Sequence, residues 1–230
     1  MEQTGLSPEP ISPGAAAPAP WRAPDPLPGS FDTARLTLRF WKPPDAAAML
    51  AAIDIDRGAF LPWLPWVRED NRTVEECASA IERQRGKRER TDPPADDFTI
   101  AIFERASGAV IGGTGLHRVN HAAHEAEIGY WVRADRRREG LCAEAVAGLI
   151  TWAFARAEAG GWGLRRIHIR CAGGNEASQR VPTKLGLRME GRLRKDRWVD
   201  GRGWDDTLIW GVLVGEWDAV RHVPKGPGLI

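Results

Sequence analysis

Long apolar runs are missing from this chain of 230 residues. No stretch approaches the roughly 20 apolar residues that cross a bilayer as a helix, so a membrane-spanning role is not expected. A basic N-terminal segment followed by an apolar one is also missing, so no signal peptide is expected. Cysteine is scarce: Cys77, Cys142 and Cys171 are far apart and odd in number. That excludes a disulfide framework and zinc-ligand spacing, and it suits reduced thiols in a cytoplasmic protein. Charge of one sign is not in excess. Lys and Arg total 32 against 31 Asp and Glu, a net charge of +1. A protein that coats nucleic acid is therefore not expected, and any attraction to anions must be local. There is no GxGxxG dinucleotide fingerprint, and no lysine followed by Ser or Thr after Gly140 that would make a P-loop. Tyrosine occurs once, at Tyr130, against eleven tryptophans.

Apolar residues at 43% and charged residues at 27% describe a soluble globular chain. Residues 1–30 hold eight of the 17 prolines, interleaved with alanine, and read as a disordered tail. Residues 221–230 read as a short loose end, leaving one domain over 31–220. Within it, Leu36, Leu38 and Phe40 alternate as a half-buried strand. An alanine-rich helix follows from Asp45 to about Arg57. LPWLPW at 61–66 is a proline-bent apolar loop. Thr73 and Glu76 form a capping box that opens a helix ending in a charged run. Strands are expected at 98–103, 109–119, 125–132, 166–172, 189–199 and 204–213. Helices are expected from Gly140 to about Ala159 and within 176–185. Hairpinned strands with two helices on the sheet make an α+β fold.

The most telling segment is AEIGYWVRADRRREGLCAEAVA, residues 126–147. It reads as a strand, an arginine-rich turn and a helix. The free N–H groups and positive dipole end of a helix start attract phosphate, and small residues after Gly140 let a ligand approach the backbone. An arginine turn alone is more often a solvated basic surface.

Arg137-Arg138-Glu139-Gly140-Leu141-Cys142 resembles the Gln/Arg-x-x-Gly-x-Gly/Ala turn of the GNAT N-acetyltransferases. Cys142 departs from the pattern but is small. GTGLHRVN at 113–120, AEIGYWV at 126–132, IRCAGGNEAS at 169–178, KLGLRMEGRLR at 184–194 and a final EW at 216–217 resemble the RimJ/RimL-like branch. The likeness covers about residues 33–218. It implies a mixed, mostly antiparallel sheet of six to seven strands with a V-shaped gap between the fourth and fifth, 125–132 and 166–172. It implies acetyl-CoA as donor, with no metal. The backbone of the turn, Arg137 and Arg138 through Glu139, Gly140, Leu141, Cys142 and Ala143, would hold the pyrophosphate. A bulge over Gly129–Val132 would open the gap for the pantetheine arm beside Tyr130, Trp131 and Val132, with Asn175 bonding to it. Ser178 matches the serine that protonates the departing thiolate.

Acetyl transfer needs a neutral amine, a stabilised oxyanion and a proton for the thiolate. A backbone N–H near Trp131 or Val132 suits the oxyanion. Glu127 on the bulged strand could activate the amine through water. The carboxylate that RimL-type enzymes use as base falls on Arg197 here. His117 and His168, each alone on a strand, read as structural. Tyr130 is expected to pack or hydrogen-bond within the bulge. The acceptor would enter over Trp63, Trp66 and the basic strand carrying Arg192, Arg194, Lys195 and Arg197, which suits an acidic acceptor such as a ribosomal-protein tail. The implied reaction is acetylation of a protein N-terminal amine by direct transfer. A small amine or aminoglycoside acceptor, a CoA-binding module without catalysis, and a homodimer all stay open at this point.

Overall fold

The computed structural model describes residues 16–219. The expected tail over 1–15 and the loose end over 221–230 lie outside the described residues. The chain runs β1 (Ser30–Asp32), β2 (Leu36–Phe40), α1 (Ala46–Asp54), α2 (Arg57–Phe60), α3 (Trp66–Glu69), α4 (Val74–Arg88), β3 (Phe98–Glu104), β4 (Val110–Asn120), β5 (Glu125–Val132), α5 (Leu141–Phe154), β6 (Arg166–Ala172), α6 (Glu176–Lys184), β7 (Arg188–Val199) and β8 (Gly203–Leu213). One sheet of eight strands has the order β1-β2-β3-β4-β5-β6-β8-β7. The eighth strand beyond the expected six to seven is β1. It has three residues, too few to carry an alternation pattern, and is held by pairing with β2.

All neighbours are antiparallel except β5 and β6, which pair in parallel over only Glu125–Arg166, Ala126–Ile167 and Glu127–His168. Beyond those three pairs the strands part. That parting is the expected V-shaped gap, and it positions the site.

Side chains alternate across the sheet. On one face Phe98, Ile100, Ile128, Ile167 and Ile169 pack against α5, whose residues are buried on nearly every side. On the other, Ala101, Phe103, Trp41 and Trp131 pack under α1 and α4. Each fully buried Leu or Ile stabilises by about 1.5–3 kcal/mol, so the two cores anchor both faces of the gap.

Thr73 caps α4, its hydroxyl accepting from Glu76 N–H at 3.2 Å, but the Glu76 carboxylate accepts from Arg72 N–H, so only half of the expected capping box forms. The helix after Gly140 stops at Phe154, five residues short of expectation, because Ala155 turns extended (ψ 142°). Part of the expected tail belongs to the body. Trp21 is buried, donates Nε1–H to Trp162 C=O at 2.7 Å and stacks on Trp162. One large aromatic ring anchors a segment whose proline and alanine composition alone reads as unable to fold.

Candidate active site

The turn before α5 is shaped by two residues in the left-handed region, Arg138 (φ 68°) and Gly140 (φ 81°). Glycine adopts that conformation without strain, and Arg138 takes it at a cost. The consequence is a row of free donors. Arg137 N–H bonds to Ala134 C=O and Glu144 N–H to Gly140 C=O. Between them the six N–H groups of Arg138, Glu139, Gly140, Leu141, Cys142 and Ala143 have no partner among the described residues. Such a row is an anion cradle.

The arginines around it are largely neutralised. Arg133 pairs with Asp135, Arg136 with Glu104 and Glu139, and Arg137 with Asp56. Arg138 is exposed and has no ion-pair partner among the described residues. Two cations that sequence reading missed flank the turn. A Cβ on Gly140 would lie 3.6 Å from Lys184 Nζ and 3.7 Å from Arg35 Nη2. Neither carries a local signal, since both come from elements distant in sequence. Arg35 is fixed by Glu144, a buried carboxylate at 2.6 Å that also accepts from Thr33 Oγ1.

At the gap, Asn175 caps α6 by accepting the Ser178 N–H at 3.1 Å. Its oxygen is therefore used by the helix. Ser178 Oγ lies 3.3 Å from Tyr130 Oη and 3.0 Å from Cys171 Sγ, while Tyr130 Oη–H donates to Ser178 C=O at 2.7 Å. Burial, with the nearby Cys171 and Cys142 thiols, pushes the Tyr130 phenol well above its ordinary range, so it is a neutral donor. Burial likewise raises Cys171, and it pushes Cys142 up to about 12. Both are protonated thiols. Arg197 lies on β7, opposite Asp205 of β8.

The expected bulge over Gly129–Val132 lies elsewhere. β4 and β5 pair in unbroken register from Gly112–Val132 to His117–Glu127, and the irregularity falls between His117 and Asn120, where Arg118 has φ 49°. The gap comes from the early parting of β6, with no help from a bulge in β5. Register also decides which N–H groups face it. Arg133 N–H bonds to Ile111 C=O at 2.9 Å. Antiparallel bonding alternates, so Trp131 N–H turns to Gly113 on β4, while Tyr130 and Val132 N–H turn toward the gap. The Trp131 ring lies under α1 and α3, parallel to Trp41 and tilted against Trp66.

Trp66 therefore belongs to an aromatic wall. Trp63 stands apart under the Arg202 guanidinium, 4.9 Å from its ring, and a Cβ on Gly174 would come within 3.6 Å of it. Glu127 lies on the opposite face from Tyr130 and Ser178. It accepts from Arg118 Nη1 at 2.8 Å and faces His168 Nε2 at 3.7 Å. Burial alone would raise it, but the neighbouring His168 and the Arg118 charge more than offset this and hold it below the ordinary carboxylate range. It is an ionised and weakly basic carboxylate. No group of three or more His, Cys, Asp or Glu among the described residues could hold a metal, and no described helix is long and apolar enough to cross a membrane.

Comparison with known proteins agrees with this fold. The acetyltransferase (GNAT) domain model matches residues 35–188. A Bacillus subtilis (strain 168) protein named "Putative ribosomal N-acetyltransferase YdaF" is 34% identical over 114 residues, 50% of this chain and 59% of that protein. The Escherichia coli (strain K12) ribosomal-protein-serine acetyltransferase is 28% identical over 105 residues, 46% of this chain and 55% of its own. The chain thus spans between half and two thirds of the length of these relatives. Among solved structures, Mycobacterium smegmatis RimJ in complex with CoA-disulfide superposes with a TM-score of 0.74 at 24% identity, over 87% of this chain and 95% of that one.

Proposed function

This chain belongs to the GNAT acetyltransferase family, and we propose that it carries an acetyl group from acetyl-CoA to the N-terminal amine of a protein, of the ribosomal-protein kind, by direct transfer in a ternary complex. The donor is the one GNAT acetyltransferases use. The observation that carries the reading is the alignment of two features along one gap. The six free N–H groups from Arg138 to Ala143 stand at one end, and the Ser178–Tyr130 hydroxyl pair stands beside it.

In this reading the N–H row takes the pyrophosphate, with Lys184, Arg35 and Arg138 adding charge. The pantetheine arm lies where β5 and β6 part, near Asn175. The Val132 or Tyr130 N–H, turned to the gap, donates to the oxyanion. When the C–S bond breaks, Ser178 Oγ passes a proton to the thiolate, and Tyr130 holds the serine in place. Glu127 is bound by Arg118, so it supplies negative charge that draws an ammonium group, and little basicity. Trp63 and the strand edge at Arg197 form the acceptor's approach. The names of the relatives support a protein acceptor, and such a substrate would place the reaction in the cytoplasm.

The test is a panel of peptides with free N-termini beside small amines and aminoglycosides, each offered with acetyl-CoA, with free thiol and acetylated product both measured. Turnover on peptides above that on small amines is expected. Preference for small amines, or thiol release without acetylated product, would sink the assignment of the acceptor.

A further inference from the structure

His117 is the one strand histidine whose surroundings differ from those of a structural side chain. Its Nδ1 lies 2.6 Å from Asp97 Oδ1, a carboxylate twenty residues away in the loop before β3. A carboxylate only accepts, so Nδ1 carries the hydrogen, and the Nε2 lone pair of the neutral ring is left to act. The ring then reaches along the sheet. His117 is in register with Glu127, but a Cβ on Gly115 would lie 2.7 Å from Nε2 and one on Gly129 would lie 3.4 Å from it. Gly115 and Gly129 face each other across the two strands. Their missing side chains make the slot in which the ring lies.

That slot has a defined place. Glu127–His168 is the last pair before β6 leaves β5, so Gly129 is the second residue past the parting, and the first there on the face that carries His117. Nε2 thus overlooks the open gap from the face opposite Ser178. On one side stands the wall of Trp131, Trp41 and Trp66. On the other is a cleft of ≈ 500 Å³ that reaches solvent past Lys87, Arg90, Asp96 and Arg118. The groups facing His117 are then Asp97 and Asp96 from the loop, Lys87 from α4 with Arg90 just past its end, Arg118 from β4 and Glu127 from β5. Three cations and three carboxylates balance.

We propose that His117, oriented by Asp97, is the general base of the transfer. The inference rests on the acetyltransferase reading above and adds the residue that neutralises the acceptor. Nε2 takes one proton from the ammonium, directly or through a water in the cleft. The neutral amine attacks the thioester carbon and the N–C bond forms. The C–S bond breaks, the second amine proton replaces the one Ser178 gives the thiolate, and His117 releases its proton to solvent. Glu127 is the poorer base, because its pairing with Arg118 and His168 lowers its affinity for a proton.

The experiment compares the full-length wild type with His117→Ala, His117→Gln and Asp97→Asn on the peptide that the wild type turns over best. His117→Ala should lower kcat by about 10²–10⁴-fold, the usual contribution of a positioned base. The KM for acetyl-CoA and its protection against thermal unfolding should be unchanged. The acidic limb of the pH profile of kcat/KM should vanish. Added imidazole should restore turnover to His117→Ala, since the emptied slot admits it, and should do less for the filled slot of His117→Gln. Asp97→Asn should fall between wild type and His117→Ala and keep the acidic limb. A His117→Ala enzyme with wild-type kcat overturns the proposal, as does a loss that imidazole does not relieve and that comes with lost acetyl-CoA protection. A wild type that acetylates no amine sinks the transferase reading itself.

Discussion

At the residue scale, the Ser178 end of the gap is a set of short contacts between residues far apart in sequence. Ser178 touches Tyr130 and Cys171, and the chain between Tyr130 and Ser178 includes α5 and β6. Removing the hydroxyl in Ser178→Ala should lower kcat by about 10²-fold while the KM for acetyl-CoA holds, since a general acid acts in the transition state. Tyr130→Phe should give a smaller loss of the same kind, read by the same steady-state assay. Equal losses in kcat and in acetyl-CoA affinity for Ser178→Ala would mean that the serine only shapes the helix start. Ser178 and Asn175 were legible because they lie in one local stretch, residues 169–178, that resembles known transferases. The partners of Ser178 were not, and neither was the carboxylate behind His117. A strand histidine carries no sign of what folds against it from twenty residues away.

At the element scale, the α5 turn depends on backbone shape more than on its arginines. Gly140 sits at φ 81°. Gly140→Val should cost about 1–2 kcal/mol of stability through that dihedral alone. It should also raise the Kd of acetyl-CoA, because the N–H row would lose its curvature. Arg136→Gln, whose guanidinium already serves Glu104 and Glu139, should leave the Kd nearly unchanged. Calorimetric titration of the two variants separates a backbone site from a side-chain site. The helices and the long strands were legible from caps and alternation, α4 most plainly through Thr73 and Glu76. The absent β5 bulge was not legible. Whether a strand bulges depends on its partner's register, and here the irregularity passed to Arg118 on β4. The three-residue β1 was equally silent, since its pairing with β2 is all that marks it as a strand.

At the scale of the whole molecule, two cores grip the sheet, and the segment carrying Trp21 closes one of them. Trp21→Ala should lower unfolding free energy by about 3–5 kcal/mol, the cost of emptying a large aromatic site, read as a shift in the urea midpoint. An unchanged midpoint would return residues 16–29 to the status of a loose tail. Stability should also fall in acid. Burial pushes Asp97 up, but the His117 hydrogen bond and charge bring it below its ordinary value; Glu190 is lowered by the Arg166 hydrogen bond and charge. A carboxylate with a depressed folded pKa holds fewer protons than the unfolded chain, so its contribution is full above the ordinary range of about 4 and is lost as pH falls through the folded value. Thermal midpoints should therefore be flat above about pH 5 and drop below about pH 4. The sheet was legible as a whole because many segments agree in order. The gap was legible only by resemblance, since no residue of β5 or β6 alone tells that the two strands part after three pairs.

The central claim is that the gap between β5 and β6 holds acetyl-CoA with its thioester at Ser178. The most direct measurement pairs the acetyl-CoA Kd with the single-turnover rate of acetyl transfer to a peptide N-terminus, in wild type and Ser178→Ala. Saturable binding of equal strength in both, with transfer fast in the wild type and slowed by about 10²-fold in the variant, is the predicted result. No saturable binding of acetyl-CoA, or transfer at the same rate in both proteins, would contradict it.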